Sequence, residues 1–383
     1  MAEVAIRRFL SLLVFLLVVL LTRESLGDGA FSYFEIHCRR KPWKWNTNAS
    51  VPKDGIYFFS LRADPGGGTK NATLVLKRNG TPMFSAVAEG LPSSASVAAP
   101  VKAGDDLEVV GLCKNEATVS AAFVSPLNGV YGTVMAKAVS HGLNTLVKFN
   151  SVLTLNGWED DADTFTTLTV PTTGIYWVAA RPVPGVGTTV VHVINGDTRL
   201  LTIHGETTPY LSTGKAVSTS AAFYLTSRST LALKIKSKDR YTTAGTMLSF
   251  VHLVGNQKPN TGNHRHIAFT GTPRATREYQ RKSNVAFDNA VTNHGSLYSN
   301  RQIRIPVDGV YLISLRPDPK PAWPLHLKLH INSNPAPTWI AYSVLVQSGQ
   351  SVALRLERNN VLVVKTAGRV ETHSLWSVAF VQP

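Results

Sequence analysis

One short run occurs three times in this chain, and it constrains the fold more than anything else. It reads Pro, two residues, Gly, Ile or Val, Tyr: Pro52-Lys53-Asp54-Gly55-Ile56-Tyr57, Pro171-Thr172-Thr173-Gly174-Ile175-Tyr176 and Pro306-Val307-Asp308-Gly309-Val310-Tyr311. Pro presets one backbone dihedral, Gly accepts positive φ, and β-branched and aromatic residues favour strands. Each copy therefore predicts a tight turn that delivers the chain into a buried strand. Apolar runs follow directly, from Ile56 to Leu61, Ile175 to Ala180 and Val310 to Leu315. A repeat this widely spaced signals tandem domains and not a solenoid of small units.

Other runs recur in the same order. Ala121-Ala122-Phe123-Val124, Leu248-Ser249-Phe250-Val251 and Val378-Ala379-Phe380-Val381 close the three units. Between turn and close, Val101–Val109 matches Val346–Leu354, with Leu225–Leu233 in the middle unit. Many short apolar runs separated by Gly, Asn, Asp and Pro clusters, with no sustained helical period beyond residue 27, predict an all-β fold. Asn195-Gly196 is a hairpin signal. The chain divides into a signal segment over 1–27, a first unit over 28–127, a second over 128–254, a linker over 255–264 and a third unit over 265–383. Each unit is long enough for its own apolar core.

Arg7 and Arg8 precede an apolar run from Phe9 to Leu21, and Ser25-Leu26-Gly27 follows. That run is shorter than the ~20 residues a membrane span needs. It reads as a secretory signal, so the mature protein is expected to be secreted and extracellular, without a transmembrane segment. Cys38 and Cys113 are the two cysteines. In an oxidising compartment they are expected to form a disulfide, with free thiols or an intermolecular bridge as alternatives. Asn48, Asn71 and Asn79 begin Asn-x-Ser/Thr sequons, which makes the first unit the expected site of glycosylation.

The net charge is +15 and is unevenly spread. Residues 28–127 carry 11 basic and 9 acidic side chains, 128–255 carry 10 and 7, and 264–383 carry 14 and 6. A secreted basic chain points to anionic partners such as sulfated glycans, bacterial envelope phosphates or acidic membranes, and away from nucleic acid. Arg274, Arg277, Arg281 and Lys282 lie close together after the first strand of the third unit and are the candidate anion-binding residues. The acidic run Glu159-Asp160-Asp161-Ala162-Asp163 lacks the spacing of a calcium loop, and His326 and His330 lie too far apart along a strand to chelate one metal. No metal, cofactor or catalytic residue is assigned. The chain has no His-Glu-x-x-His, phosphate loop or Gly-x-Ser-x-Gly elbow, and a binding protein is expected, not an enzyme.

The third unit resembles the C1q globular domain. The resemblance rests on Ala268-Phe269, Phe287-Asp288 with Val291, Asn293, Gly295 and Tyr298, then Pro306 to Tyr311, Ser348-Gly349-Gln350, Ser377 and Phe380. The second unit is similar through Phe149, Val152, Asn156-Gly157 and Pro171 to Tyr176, but has Trp158 where a tyrosine is common and lacks the late glycine. The first keeps Pro52 to Tyr57 and Gly104-Asp105 and lacks the Phe-Asp to Asn-Gly segment, so it looks truncated. The resemblance implies three tandem jelly-roll β-sandwiches of a family that trimerises and shares no enzymatic activity. No Gly-X-Y stalk is present to gather separate chains. Two arrangements follow: the three units close an intrachain pseudo-trimer, or each self-associates between chains. Three functions follow as well: innate-immune recognition of anionic or glycan surfaces, an extracellular structural matrix, or a cytokine-like receptor ligand.

Overall fold

A computed structural model of the chain describes residues 33–39, 43–64, 71–89, 93–113, 116–136, 140–141, 143–158, 165–183, 188–206, 218–236, 241–242, 245–253, 267–318, 326–331, 334–335 and 349–382. The signal segment and the linker over 255–264 lie outside these residues. All regular structure among the described residues is β. None of it is a helix long and apolar enough to cross a membrane.

The first unit contributes β1 (Tyr33–Arg39), β2 (Trp43–Ser50), β3 (Gly55–Asp64), β4 (Asn71–Arg78), β5 (Thr81–Glu89), β6 (Ser93–Val101), β7 (Asp106–Cys113) and β8 (Glu116–Ser125). The second contributes β9 (Tyr131–Ala136), β10 (Ser140–His141), β11 (Ser151–Asn156), β12 (Leu168–Thr169), β13 (Gly174–Arg181), β14 (Thr188–Asn195), β15 (Thr198–Glu206), β16 (Thr219–Leu225), β17 (Thr230–Ile235), β18 (Tyr241–Thr242) and β19 (Thr246–His252). The third contributes β20 (Ala268–Thr272), β21 (Arg277–Asn284), β22 (Asn289–His294), β23 (Tyr298–Ser299), β24 (Gln302–Arg304), β25 (Gly309–Arg316), β26 (His326–Ile331), β27 (Asn334–Pro335), β28 (Gln350–Leu356), β29 (Val361–Val370) and β30 (Leu375–Gln382).

Each unit is an antiparallel jelly roll of two sheets. The inner sheets run β1-β8-β3-β6, β11-β9-β19-β13-β16 and β22-β20-β30-β25-β28. The outer sheets run β2-β7-β4-β5, β12-β17-β14-β15 and β23-β24-β29-β26-β27. Among the described residues the order is the same three times, except that the first inner sheet has no strand in the place of β11 and β22, and the third outer sheet adds β23 beside β24 and β21 beside β29. That strand is the Phe-Asp to Asn-Gly segment missing from the first unit's sequence.

The burial pattern explains the long apolar runs. Outer strand β4 alternates buried and partly exposed residues, as a sheet with one wet face should. The central inner strands β3, β13 and β25 are buried along both faces. One face of β3 (Tyr57, Phe59, Leu61) packs inside its own sandwich. The other face (Ile56, Phe58) packs with Ile175, Trp177 and Ala179 of β13 and with Val310 and Leu312 of β25 in a single cluster. The three units are thus arranged around a pseudo-threefold axis within one chain. Strand periodicity places i and i+2 on one face, so the faces are assigned by register alone.

The repeated motif proves to be a structural device. The tyrosine hydroxyl donates to the carbonyl four residues earlier: Tyr57 to Lys53 at 3.2 Å, Tyr176 to Thr172 at 2.8 Å and Tyr311 to Val307 at 2.9 Å. The residue before the glycine caps a turn across the sandwich. Asp54 accepts from Ala103 N at 2.7 Å, Thr173 from Ser227 N at 2.8 Å, and Asp308 from the amide of Arg358. The next residue of each turn, Gly104, Arg228 or Asn359, has φ of +84°, +69° or +70° and donates to Val51, Val170 or Ile305.

These turns correct two matches made in sequence. The counterpart of Gly104-Asp105 in the third unit is Asn359-Asn360, since Gly349 lies at the entry to β28, an inner strand. The second unit does lack the late glycine, and Arg228 takes its left-handed place. The closing run of the second unit was also matched two residues too early. His252, not Phe250, lies opposite Tyr176, as Phe123 lies opposite Tyr57 and Phe380 opposite Tyr311. The closing-run error arises because alternating apolar runs look alike in any register shifted by two, whereas the glycine match followed a residue type and not the turn itself.

Candidate functional site

The seams between units are closed by a repeated polar contact. Strands β6, β16 and β28 are edges of their inner sheets, and an edge leaves amides without ladder partners. Ala98 N donates to Ser249 Oγ of the second unit at 2.8 Å, Ala222 N to Ser377 Oγ of the third at 2.9 Å, and Ala353 N to Ser120 Oγ of the first at 3.2 Å. Thr133 and Thr270 donate to the carbonyls of Ala98 and Ala222, at 2.9 and 2.6 Å, and each also bonds the seam serine. The position opposite Ser120 holds Glu35 where the other two units have threonine. Apolar plugs reinforce two seams: Met247 of the second unit enters the first unit's core, and Leu375 of the third enters the second unit's core.

The seam between the third and first units has the longest of the three amide–serine bonds, at 3.2 Å against 2.8 and 2.9 Å. Native-state hydrogen exchange should show the Ala353 amide opening before those of Ala98 and Ala222, by about fivefold for ~1 kcal/mol of hydrogen bonding. Equal protection at all three would contradict this.

Along the axis the residues fall into layers. Phe58, Trp177 and Leu312 form an apolar layer, with Phe58 and Trp177 edge to face at 5.8 Å. Two residues further along the same strand faces come Ser60, Ala179 and Ser314, paired with Ser96, Ser220 and Ser351. Ser96 bonds Ser60 at 3.2 Å, Ser351 bonds Ser314 at 3.3 Å, and Ser220 bonds Ser351 across the seam. Two residues beyond these stand Arg62 and Arg316, both buried, and Arg181, which is half-buried with its Nε shielded from solvent.

Burial pushes the guanidinium pKa values of Arg181 and Arg316 below the ordinary arginine range, and Asp318 opposes this for Arg316. Arg62 lies 3.8 Å from Asp64. Arg316 Nη2 donates to His373 O at 2.6 Å. Arg181 Nη1 reaches Ser85 O of the first unit at 3.4 Å. The sequence reading missed this guanidinium layer. Its signal was present: each motif continues, after the Tyr, through four residues to an Arg.

The residues singled out from sequence lie elsewhere. Arg274, Arg277 and Lys282 are exposed at the edge of the third outer sheet, where β21 pairs with β29. The register breaks between Tyr279 and Ser283, so Arg281 and Lys282 sit on a bulge, with Lys282 at φ +67°. The Arg281 side chain is outside the described residues. Burial raises the Asp288 pKa, but the Arg274 amide bond and the charges of Arg277 and Arg274 outweigh it and hold the carboxyl below its usual range. Among the described residues the second unit has only Ser140–His141 in the place of β21.

Cys38 lies in β1 and Cys113 in β7, on the two different sheets of the first sandwich; their side chains are outside the described residues. So is that of Asn48, while Asn71 is exposed. Asn79 is the left-handed first residue of the β4–β5 turn; its Nδ2 donates to Asp105 Oδ1 at 2.7 Å and its Oδ1 accepts from Asp106 N at 2.8 Å. No cluster of potential metal ligands occurs among the described residues.

Fold and axis together define a class: three jelly rolls closed into a pseudo-threefold ring by a single chain. No family model matches the chain, and no curated protein does. Among solved structures it is similar to the Eiger TNF from S. frugiperda, at 16% identity and a TM-score of 0.27 over 36% of this chain and 99% of that one. It is also similar to the triple jelly roll of an archaeal virus turret, at 11% identity and a TM-score of 0.21 over 92% of this chain and 88% of that one.

Proposed function

We propose that this is a secreted, C1q-like recognition protein that binds anionic or glycan surfaces, of the innate-immune type, and does no chemistry on them. The carrying observation is the exposed basic edge of the third unit, in which Arg277 and Lys282 lie on an extended, bulged edge strand and Arg274 on the bend just before it. The third unit also holds most of the chain's +15 charge. Arginine forks match sulfate and phosphate, and a bulge on a sheet edge turns side chains outward. Because the apolar faces of the inner sheets are consumed within the chain, a single polypeptide presents this edge without needing partner chains.

Replacing Arg274, Arg277, Arg281 and Lys282 by Ser should lower the salt concentration at which the protein elutes from heparin and weaken its capture by bacterial lipopolysaccharide. The thermal midpoint should stay unchanged, since Arg274, Arg277 and Lys282 are exposed. Unchanged elution would refute the assignment of this edge.

A further inference from the structure

The guanidinium layer of the axis carries donors with nothing to bond. Arg181 Nε, Arg316 Nε and Nη1, and Ser218 Oγ are all buried without a hydrogen-bond partner. Native interiors leave few such groups, and several at one level of a fold call for a ligand or water to meet them. These donors are brought together by register. Ser218 immediately precedes β16, beside the end of β13 that carries Arg181. Its carbonyl accepts from Gly349 N at 3.1 Å and from Ser94 Oγ at 3.5 Å, so all three units meet at this residue. Gly349 in turn adjoins Arg316, whose Cβ would lie 3.5 Å from a Cβ added there.

The charges do not balance. Arg62 has Asp64 beside it, and Arg316 lies in the field of Asp318. Arg181 feels no carboxylate among the described residues. An isolated buried cation is among the least tolerated groups in a protein interior. The serine and apolar layers close the axis on one side of this level, so compensation has to come from within the layer or from its other side.

We propose that this end of the pseudo-threefold axis binds one small tetrahedral oxyanion, phosphate or sulfate, through Arg181, Arg316 and the Ser218 hydroxyl. The forked guanidinium matches such an anion, and the bound charge neutralises the hub. Arg181 and Ser218 belong to the second unit and Arg316 to the third, so the anion bridges that seam and couples ring stability to anion concentration.

The test uses the full secreted chain in a zwitterionic buffer at constant ionic strength set with sodium gluconate. Phosphate is titrated in, following the thermal midpoint and, by calorimetry, the stoichiometry. The expected result is a saturable rise in midpoint with one site per chain. Arg181→Met removes the uncompensated charge at similar size. It should fold, melt at or above the wild-type midpoint without phosphate, and lose at least tenfold in phosphate affinity. The variant with Arg274, Arg277, Arg281 and Lys282 all changed to Ser should keep the full response. A midpoint indifferent to phosphate, an undiminished response in Arg181→Met, or a response lost with the surface variant would each overturn the axial site. The last outcome would leave the surface reading standing.

Discussion

Trp177→Ala is expected to cost about 3–5 kcal/mol and to loosen all three jelly rolls from one another. Trp177 is 1% exposed and packs where the three inner sheets meet, against Phe58 and in one cluster with Leu312. A cavity there is walled by three separate sandwiches, and none can collapse into it without shifting the other two. The indole Nε1 has no hydrogen-bond partner, so the residue serves the axis as an apolar plate. Trp177→Phe should accordingly cost less than about 1.5 kcal/mol, because it keeps an aromatic ring and removes a buried unbonded donor. Urea denaturation followed by circular dichroism measures both. A Trp177→Ala protein within about 1 kcal/mol of the parent would mean that the axis contributes little to stability.

Gly309→Ala carries the second large effect, about 2–4 kcal/mol. Gly309 has φ +152°, and an added Cβ would fall 2.3 Å from Gln382 O and 2.6 Å from Phe380 Cε2. The obstacle includes backbone, which cannot swing aside as a side-chain tip can. Gly80 provides the control. Its φ is +78°, but nothing lies within 4 Å of an added Cβ, so Gly80→Ala should cost only the left-handed backbone penalty of about 1–2 kcal/mol. Thermal melts of the two variants decide the matter, and a Gly309→Ala protein as stable as Gly80→Ala would remove close packing as the reason for the motif glycine.

The same motif shows how far the sequence could be read. Pro, Gly and Tyr at fixed spacing announced a turn into a strand, and the strands β3, β13 and β25 begin at Gly55, Gly174 and Gly309. The partner of the tyrosine hydroxyl and the turn capped by Asp54, Thr173 and Asp308 were not legible, because those bonds span a loop or join segments about 50 residues apart. The basic cluster at Arg274 was visible from charge density alone. The arginines of the axis were harder to see, since a single Arg at the end of an apolar run reads as the strand emerging into solvent. Only its threefold recurrence at one spacing marked Arg62, Arg181 and Arg316 as a set.

What the sequence determined by itself was local and periodic: three repeats, all-β strands of the observed order, and a net charge of +15. Turn chemistry and strand alternation act over a few residues, so a linear string records them. Register, seams and axis were decided only by tertiary structure. A shift of two residues preserves every apolar pattern, which is why Phe250 and His252 could not be told apart before the pairing of Tyr176 was known. The doubly buried inner strands are equally consistent with a trimer between chains and one within a chain. Three outcomes resolved the choice here: Ala98, Ala222 and Ala353 each found a serine of the next unit, Trp177 met Phe58, and the three arginines came to one level of one axis.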